Sequence, residues 1–154
     1  MIKIGVISDT HGLLRPEAAS ALAGVEHILH AGDVGKPAIL AELQAIAPVT
    51  AVRGNVDAGD WAEKLPLTAA TTVAGRRVYM LHSLGDLEVD PAQQNIAVVV
   101  SGHTHKPLIE WRDGVLYVNP GSAGPRRFSL PISIGFLRFA SNAPIEAWLE
   151  TLDV

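Results

Sequence analysis

The sequence predicts an α/β protein built as a four-layer αββα sandwich, in which two mixed β-sheets pack face to face and helices flank them. Two observations lead to this fold class. The first half of the chain alternates apolar strand-like runs with helix-like segments, which is typical of parallel strands joined by right-handed crossovers. The second half is instead a series of strand pairs separated by turn residues. At 154 residues we expect one domain, residues 1–154.

The first half supplies three strands and two helices. Ile2 to Ile7 is a nearly continuous apolar run, which is typical of a strand buried on both faces. Val25 to Ala31 and Pro48 to Val52 are the next two strands. Helices are expected to begin at Pro16 and Pro37, because proline is favoured in the first turn of a helix. This βαβαβ pattern places the carboxyl ends of the three strands at one edge of a sheet.

The second half supplies the remaining strands. Its segments are rich in β-branched and aromatic residues and are bounded by turn signals, of which Asp113-Gly114 is the clearest hairpin turn. The predicted strands are Leu67 to Val73, Arg76 to Leu81, Ile96 to Val100, Leu108 to Trp111, Val115 to Val118, Ile132 to Phe139 and Ile145 to Leu149.

Composition narrows the class of function. A net charge of −4 gives no electrostatic reason to expect nucleic acid or an anionic membrane as a partner. No apolar run approaches the ~20 residues that a membrane-spanning helix needs, and the short apolar start of the chain is not a signal peptide, so we expect a cytoplasmic protein. The chain has no cysteine, so any metal must be held by nitrogen and oxygen ligands.

Metal-ligating side chains follow five of the predicted strands. His103 and His105 come just after Ile96 to Val100, and alternate residues of an extended chain point to the same side. Taken singly, an aspartate after a strand is more often a cap or turn residue, and a lone histidine is more often packed in the core. The joint pattern favours a metal site instead. The candidate ligands are Asp9, His11, Asp33, Asn55, His82, His103 and His105.

These donor types suit two divalent cations. Imidazole and carboxylate together fit Mn²⁺, Fe²⁺, Ni²⁺ or Zn²⁺, with Mn²⁺ favoured here. Two such ions ~3.5–4 Å apart share a carboxylate and a water, which becomes hydroxide near neutral pH. A pair of this kind is suited to in-line attack on phosphorus, because the ions neutralise the phosphate oxygens.

Other polar and aromatic residues have two open interpretations. Arg126 and Arg127 either bind substrate phosphate or are solvated loop arginines. Trp61 either stacks on a base or covers an edge of the core. His30 is expected beside the site, whereas His27 is expected at the surface.

Five motifs, taken in this order, resemble the calcineurin-like metallophosphoesterase superfamily: Asp9-Thr10-His11, Gly32-Asp33, Gly54-Asn55-Val56-Asp57, His82 and Gly102-His103-Thr104-His105. The short chain and the loop Asn119-Pro120-Gly121-Ser122 are most similar to the compact bacterial and archaeal phosphodiesterase branch. That branch is related to the retromer scaffold subunit of eukaryotes.

The resemblance implies a phosphodiesterase or phosphatase that acts on a small phosphoester, with a metal-bridging hydroxide as nucleophile. It implies one metal held by Asp9, His11 and His105, a second held by Asn55, His82 and His103, and Asp33 as the bridge. Asp33, Asn55 and His103 are the residues expected to take part directly in catalysis. The alternative is a phosphatase-fold scaffold without physiological catalysis, and a homo-oligomer is compatible with either.

The sequence departs from the pattern of the family in two places. Many relatives carry a histidine after the Gly-Asn pair that protonates the leaving group, and here that position is Val56, which cannot donate a proton. Asp57 is expected to be ionised at neutral pH and so not to replace it. The residues after His82 also differ, which leaves open whether Asp86 approaches the site.

Overall fold

The elements of the chain are given by a computed structural model that describes residues 1–154. In chain order they are β1 (Ile2–Ile7), α1 (Pro16–Ala21), β2 (His27–His30), α2 (Pro37–Gln44), β3 (Val49–Ala51), α3 (Asp60–Glu63), β4 (Thr68–Val73), β5 (Arg76–Leu81), a 3₁₀ turn (Leu84–Asp86), β6 (Ile96–Val100), β7 (Leu108–Arg112), β8 (Val115–Asn119), β9 (Ser133–Phe139) and β10 (Glu146–Thr151).

The strands form two five-stranded mixed sheets, which confirms the predicted fold class. The first sheet has the order β10-β9-β1-β2-β3, and the second has the order β4-β5-β6-β8-β7. Strands β1, β2 and β3 are parallel, as expected from the βαβαβ pattern, and β9 is antiparallel to β1. The second sheet also contains parallel pairs, β5 with β6 and β6 with β8, which the hairpin pattern of the sequence did not predict.

The main core lies between the two sheets. The alternation of side chains along β6 shows the arrangement, because Val98 and Val100 pack in this central core whereas Val99 packs on the outer face of the second sheet. Ile4 and Val6 of β1 meet them from the first sheet. Burying side chains of this size contributes about 1.5–3 kcal/mol each. The central core therefore holds the carboxyl ends of strands from both sheets at one edge of the sandwich.

The outer layers differ between the sheets. Helices α1 and α2 cover the first sheet, with Leu22 and Leu43 packed in a core that includes Phe136 of β9. The second sheet is covered by the 3₁₀ turn and the irregular residues after it, through Leu84 and Leu87. The fourth layer is therefore thin. None of the helices has the length and apolarity needed to cross a lipid bilayer.

Candidate metal centre

The predicted ligands meet where the two sheets come together at the carboxyl ends of β1, β2, β5 and β6. Hydrogen bonds join the loops across this edge. The backbone N–H of His103 donates to Asp9 Oδ2 at 3.1 Å, and the N–H of Gly102 donates to the carbonyl of His82 at 2.9 Å. These bonds connect the loop after β6 to those after β1 and β5.

The first donor cluster consists of Asp9, His11 and His105. Their ligating atoms all lie within 4.8 Å of one another. The Nε2 atoms of His11 and His105 lie 3.7 and 3.4 Å from Asp9 Oδ1. Ser8 Oγ donates to the other oxygen, Asp9 Oδ2, at 2.7 Å, so Oδ1 is the atom left facing the imidazoles.

The second donor cluster consists of Asp33, His82 and His103, whose ligating atoms also lie within 4.8 Å of one another. Asn55 lies with them, because its Oδ1 is 3.0 Å from His82 Nε2. The opposite ring nitrogen, His82 Nδ1, is 2.7 Å from the carbonyl of Ala31. A carbonyl can only accept, so Nδ1 carries the proton and the Nε2 lone pair of a neutral ring faces the cluster.

Asp33 lies between the two donor clusters. Its Oδ2 is 3.2 Å from His82 Nε2 and 3.6 Å from His11 Nε2. Its other oxygen, Oδ1, accepts the backbone N–H of Val56 at 3.0 Å, which fixes the orientation of the carboxylate. One oxygen therefore faces an imidazole of each cluster.

Several donor atoms in the first cluster have no hydrogen-bond partner although they are buried. They are Asp9 Oδ1, His11 Nε2 and both ring nitrogens of His105. A buried polar atom without a partner costs about 1–3 kcal/mol, so it is unusual for several to converge on one point. A divalent cation would satisfy them together, and the donor set of imidazole and carboxylate suits such an ion.

The electrostatics of the site are those of imidazoles facing carboxylates. The nearby Asp9 carboxylate raises the pKa of His11. Burial alone would lower the pKa of His82, but the Asp33 carboxylate and the Ala31 carbonyl favour the protonated ring, outweigh burial and raise it. Burial likewise disfavours ionised Asp33, but protonated His82 and the Val56 N–H favour it and lower its pKa to about 2. Asp33 is therefore ionised at neutral pH.

Five of the predicted ligands have a left-handed backbone conformation. Their φ angles lie between 47° and 72°, in a region that residues other than glycine seldom adopt. Such conformations cost of order 1–3 kcal/mol each and gather at functional sites, where the surrounding structure fixes them. The residues are Asp9, His11, Asp33, His103 and His105.

Glycines give the backbone the close approach that the site needs. A Cβ built on Gly54 would overlap the backbone nitrogen and Oδ1 of Asp33. A Cβ on Gly102 would overlap the Ser8 hydroxyl and lie 2.7 Å from Asp9 Oδ2. Both glycines belong to motifs that the sequence singled out, and steric fit explains them.

The sequence motifs included Asp57 and Asn119 but did not predict that these residues brace the ligand loops. Asp57 is buried and accepts three backbone N–H groups, from Val34 at 3.2 Å, Gly35 at 2.9 Å and Gly54 at 2.9 Å. Its carboxylate therefore orders the loops after β2 and β3. Asn119 acts in the same way at the other side, donating to the carbonyl of Gly102 at 3.0 Å.

The remaining candidates fall at the margins of the site. Arg126 donates to the carbonyl of Leu130 in its own loop, at 3.2 Å. Arg127 is exposed, and its charge contributes to lowering the pKa of His105, after the larger effect of burial. Asp86 lines a cavity beside the second donor cluster. Trp61 packs against the core under the helices.

The two other histidines lie in β2. His30 is fully buried under the site, and its Nε2 is 3.0 Å from Thr10 Oγ1. His27 is partly buried, with its Nε2 2.8 Å from Thr50 Oγ1.

The fold and the paired donor clusters point to the metal-dependent phosphoesterases as a class. The family model of the calcineurin-like phosphoesterase superfamily domain matches residues 2–142, and the chain belongs to this family. A probable metallophosphoesterase of Methanothermobacter thermautotrophicus is 39% identical over an alignment of 140 residues that covers 83% of this chain and 81% of the relative. The phosphodiesterase YfcE of Escherichia coli is 32% identical over 161 residues, covering 89% of this chain and 88% of the relative.

Solved structures agree on the fold. The crystal structure of Vps29 from Chaetomium thermophilum superposes with a TM-score of 0.79 and covers 99% of this chain and 100% of that one. At 20% sequence identity this likeness concerns the fold alone. The family resemblance drawn from the motifs is confirmed.

Proposed function

We propose that the chain is a dinuclear metal-dependent phosphodiesterase that hydrolyses a small phosphoester. The observation that carries this proposal is the position of Asp33, whose Oδ2 lies 3.2 Å from an imidazole of one donor cluster and 3.6 Å from an imidazole of the other. A carboxylate shared in this way is what a pair of adjacent cations needs. The relatives named metallophosphoesterase and phosphodiesterase support the same class of reaction.

Each donor residue would bind one or both of the two cations. Asp9, His11 and His105 would hold one divalent cation, Asn55, His82 and His103 would hold the other, and Asp33 would lie between the two. Bound cations would supply Lewis acidity, neutralising the phosphate oxygens and making water a stronger nucleophile near neutral pH. Mn²⁺ is the favoured ion on donor chemistry, with Ni²⁺, Fe²⁺ and Zn²⁺ as alternatives.

The chain's own residues orient these donors. The carbonyl of Ala31 fixes the tautomer of His82, so that the free lone pair is on the ligating nitrogen. The N–H of His103 and the Ser8 hydroxyl both bind Asp9 Oδ2, which leaves Oδ1 free for a cation. Because these hydrogen bonds already orient the donor atoms, less conformational entropy is lost when a cation binds.

The proton for the leaving group is not supplied by residue 56. Val56 is 48% exposed and contributes only its backbone N–H, to Asp33. Asp57 has its oxygens occupied by backbone N–H groups and is not a free acid. Esters of acidic alcohols should therefore be the best substrates, because their leaving groups depart without protonation.

Metal content and hydrolysis of bis-(p-nitrophenyl) phosphate test the proposal. Protein purified without chelator should contain a transition metal, and Mn²⁺ should restore turnover after chelation. Asp33→Asn should lower both metal content and kcat/KM by at least about 100-fold, since truncating a shared ligand affects both cations. Asp113→Asn, in the turn at the opposite end of the β7–β8 hairpin from the His105 loop, is the matched control and should behave as wild type.

Two results would contradict the proposal. One is an absence of turnover with every divalent ion tried. The other is full activity in Asp33→Asn. Absent turnover would favour the scaffold alternative, which predicts a protein partner that binds Asp33→Asn as tightly as it binds wild type, whereas full activity in Asp33→Asn would reject the role of Asp33 as the shared ligand. The likeness to Vps29 gives that alternative the fold but not the partner.

A further inference from the structure

A cavity of about 670 Å³ opens beside the second donor cluster. Asn55, His82 and His103 line it on the side of that cluster, and Tyr79 and Leu87 are among its other lining residues. This volume falls in the range of about 300–1,000 Å³ that is typical of small-molecule sites, and it is far larger than one phosphate group requires. The cavity therefore has room for the organic part of a phosphoester next to the reacting phosphorus.

Arg53 lines this cavity and has no partner. Its Nε is buried without a hydrogen bond, and the side chain as a whole is partly buried. The only other arginine without a side-chain hydrogen bond or ion pair is the exposed Arg127. The remaining six are all held, four by backbone carbonyls (Arg15, Arg76, Arg77 and Arg126) and two by glutamates (Arg112 and Arg138). A cation taken partly out of water without an anion is costly, so Arg53 lacks a partner that a ligand would supply.

The backbone holds Arg53 in place. It comes two residues after the end of β3 and two before Asn55, and its N–H donates to the carbonyl of Pro66 at 2.8 Å. Asp86 and Glu88 line the same cavity, but neither forms an ion pair with Arg53. The guanidinium is therefore available to bind an anionic group that enters the cavity.

We propose that Arg53 binds the oxygens of a phosphodiester on its leaving-group side and offsets the negative charge that develops there. This inference rests on the proposed function. Hydrolysis adds water across the P–O bond, with the hydroxyl going to phosphorus and the electron pair of the broken bond to the leaving oxygen, which takes the proton. Val56 cannot give that proton, so the Arg53 guanidinium, which lines the cavity beside the second donor cluster, stabilises the charge until water supplies the proton.

Binding of inorganic phosphate tests the anion site. Isothermal titration calorimetry of the Mn²⁺-loaded protein should show phosphate affinity reduced about 10- to 100-fold by Arg53→Ala and less by Arg53→Lys, which keeps the charge but not the planar fork. The Mn²⁺ affinity should be unchanged. Arg77→Ala, which removes an arginine held by the carbonyl of Gln94, is the matched control and should bind phosphate as wild type does.

The dependence of kcat/KM on leaving-group pKa tests the position of the charge. Across a series of aryl phosphodiesters, the rate lost in Arg53→Ala should grow as the leaving group becomes more basic, because the variant no longer offsets its charge. An equal loss for every ester would overturn the leaving-group assignment. Unchanged phosphate affinity would overturn the anion site, and weakened Mn²⁺ binding would make Arg53 a structural residue.

These experiments distinguish a failure of the Arg53 proposal from a failure of the proposed phosphodiesterase function. Hydrolysis by wild type with a slope that Arg53→Ala does not alter would reject only the role of Arg53. Should wild type hydrolyse no diester, the leaving-group role would fall with the proposed function, and the phosphate titration would decide whether Arg53 binds anions. Arg53→Gln, which keeps hydrogen-bond donors without the charge, decides the same questions if Arg53→Ala does not fold.

Discussion

Replacing His30, which is buried beneath the candidate metal centre, tests how a buried neutral imidazole affects the stability of the fold. His30 is completely buried, and its Nδ1 accepts the backbone N–H of Gly32 at 3.1 Å. Its Nε2 therefore carries the proton and donates to Thr10 Oγ1 at 3.0 Å, and that hydroxyl donates to the carbonyl of Val34 at 2.9 Å. Burial lowers the pKa of His30 from 6.5 to about 4, so the ring is neutral in the folded protein.

This neutral ring should make the fold sensitive to acid. Between pH 6.5 and about 4 the unfolded chain binds a proton at His30 that the folded chain does not, so the free energy of unfolding falls as the pH falls through this window. The difference between pKa values of 6.5 and about 4, at about 1.4 kcal/mol per pH unit, amounts to about 3 kcal/mol. Asp33, with a pKa of about 2, loses its contribution at lower pH.

Urea unfolding in the presence of chelator, from neutral pH to about pH 4, measures the effect. His30→Asn keeps an acceptor for the Gly32 N–H but does not titrate, so its stability should fall by up to about 3 kcal/mol less than that of wild type. His27→Asn, on the same strand, should change the slope less, because His27 is only partly buried. If the free energies of unfolding of wild type and His30→Asn fall equally as the pH is lowered, the explanation from the buried neutral His30 is refuted.

Three further predictions concern the ligand loops. Gly54→Ala places a Cβ against the carboxylate between the two donor clusters, so Mn²⁺ affinity by calorimetry should fall at least about 10-fold. Gly85→Ala, whose Cβ would meet only Ser83 Oγ at 3.9 Å, should bind Mn²⁺ as wild type does. Val56→His should raise kcat/KM for esters of basic alcohols by up to about 100-fold, so that kcat/KM depends less steeply on leaving-group pKa. An unchanged slope would show that the imidazole does not reach the leaving oxygen. Asp57→Asn should lower the free energy of unfolding by about 1–3 kcal/mol, because one amide oxygen cannot accept all three N–H groups. Urea unfolding in the presence of chelator measures this loss, and a loss no greater than that of Asp113→Asn would contradict the prediction.

The strands and the candidate ligands could be predicted because their signals are local. An apolar run such as Ile96 to Val100 identifies a buried strand wherever it lies in the sheet. The chain direction then places the residues that follow at the carboxyl end. Because parallel strands share that edge, Asp9 and Asp33 could be expected to lie together before any pairing was known.

The pairing of distant strands could not be predicted in the same way. Strands β6 and β8 are parallel neighbours, although the local pattern around Asp113 shows only the hairpin of β7 with β8. The left-handed backbone of His103 and His105 is equally hidden, because histidine has no intrinsic preference for it and the surrounding contacts impose it. Because of that conformation the two rings do not point to one side as alternate residues of an extended strand would, and each belongs to a different donor cluster.

The contrast between Asp9 and Asp57 shows what the structure adds to the sequence. Both are buried aspartates in loops after strands of the same sheet, and nothing in their local sequence separates a ligand from a brace. Asp57 has both oxygens occupied by backbone N–H groups, so a cation there would have to displace hydrogen bonds that hold two loops together. Asp9 has one oxygen bound by Ser8 and His103 and the other buried, unpartnered and facing two imidazoles. A carboxylate oxygen that is buried without a hydrogen-bond donor is available to a metal, whereas one that accepts backbone N–H groups is not. Which of the two an aspartate has depends on contacts with residues that are far away in the sequence.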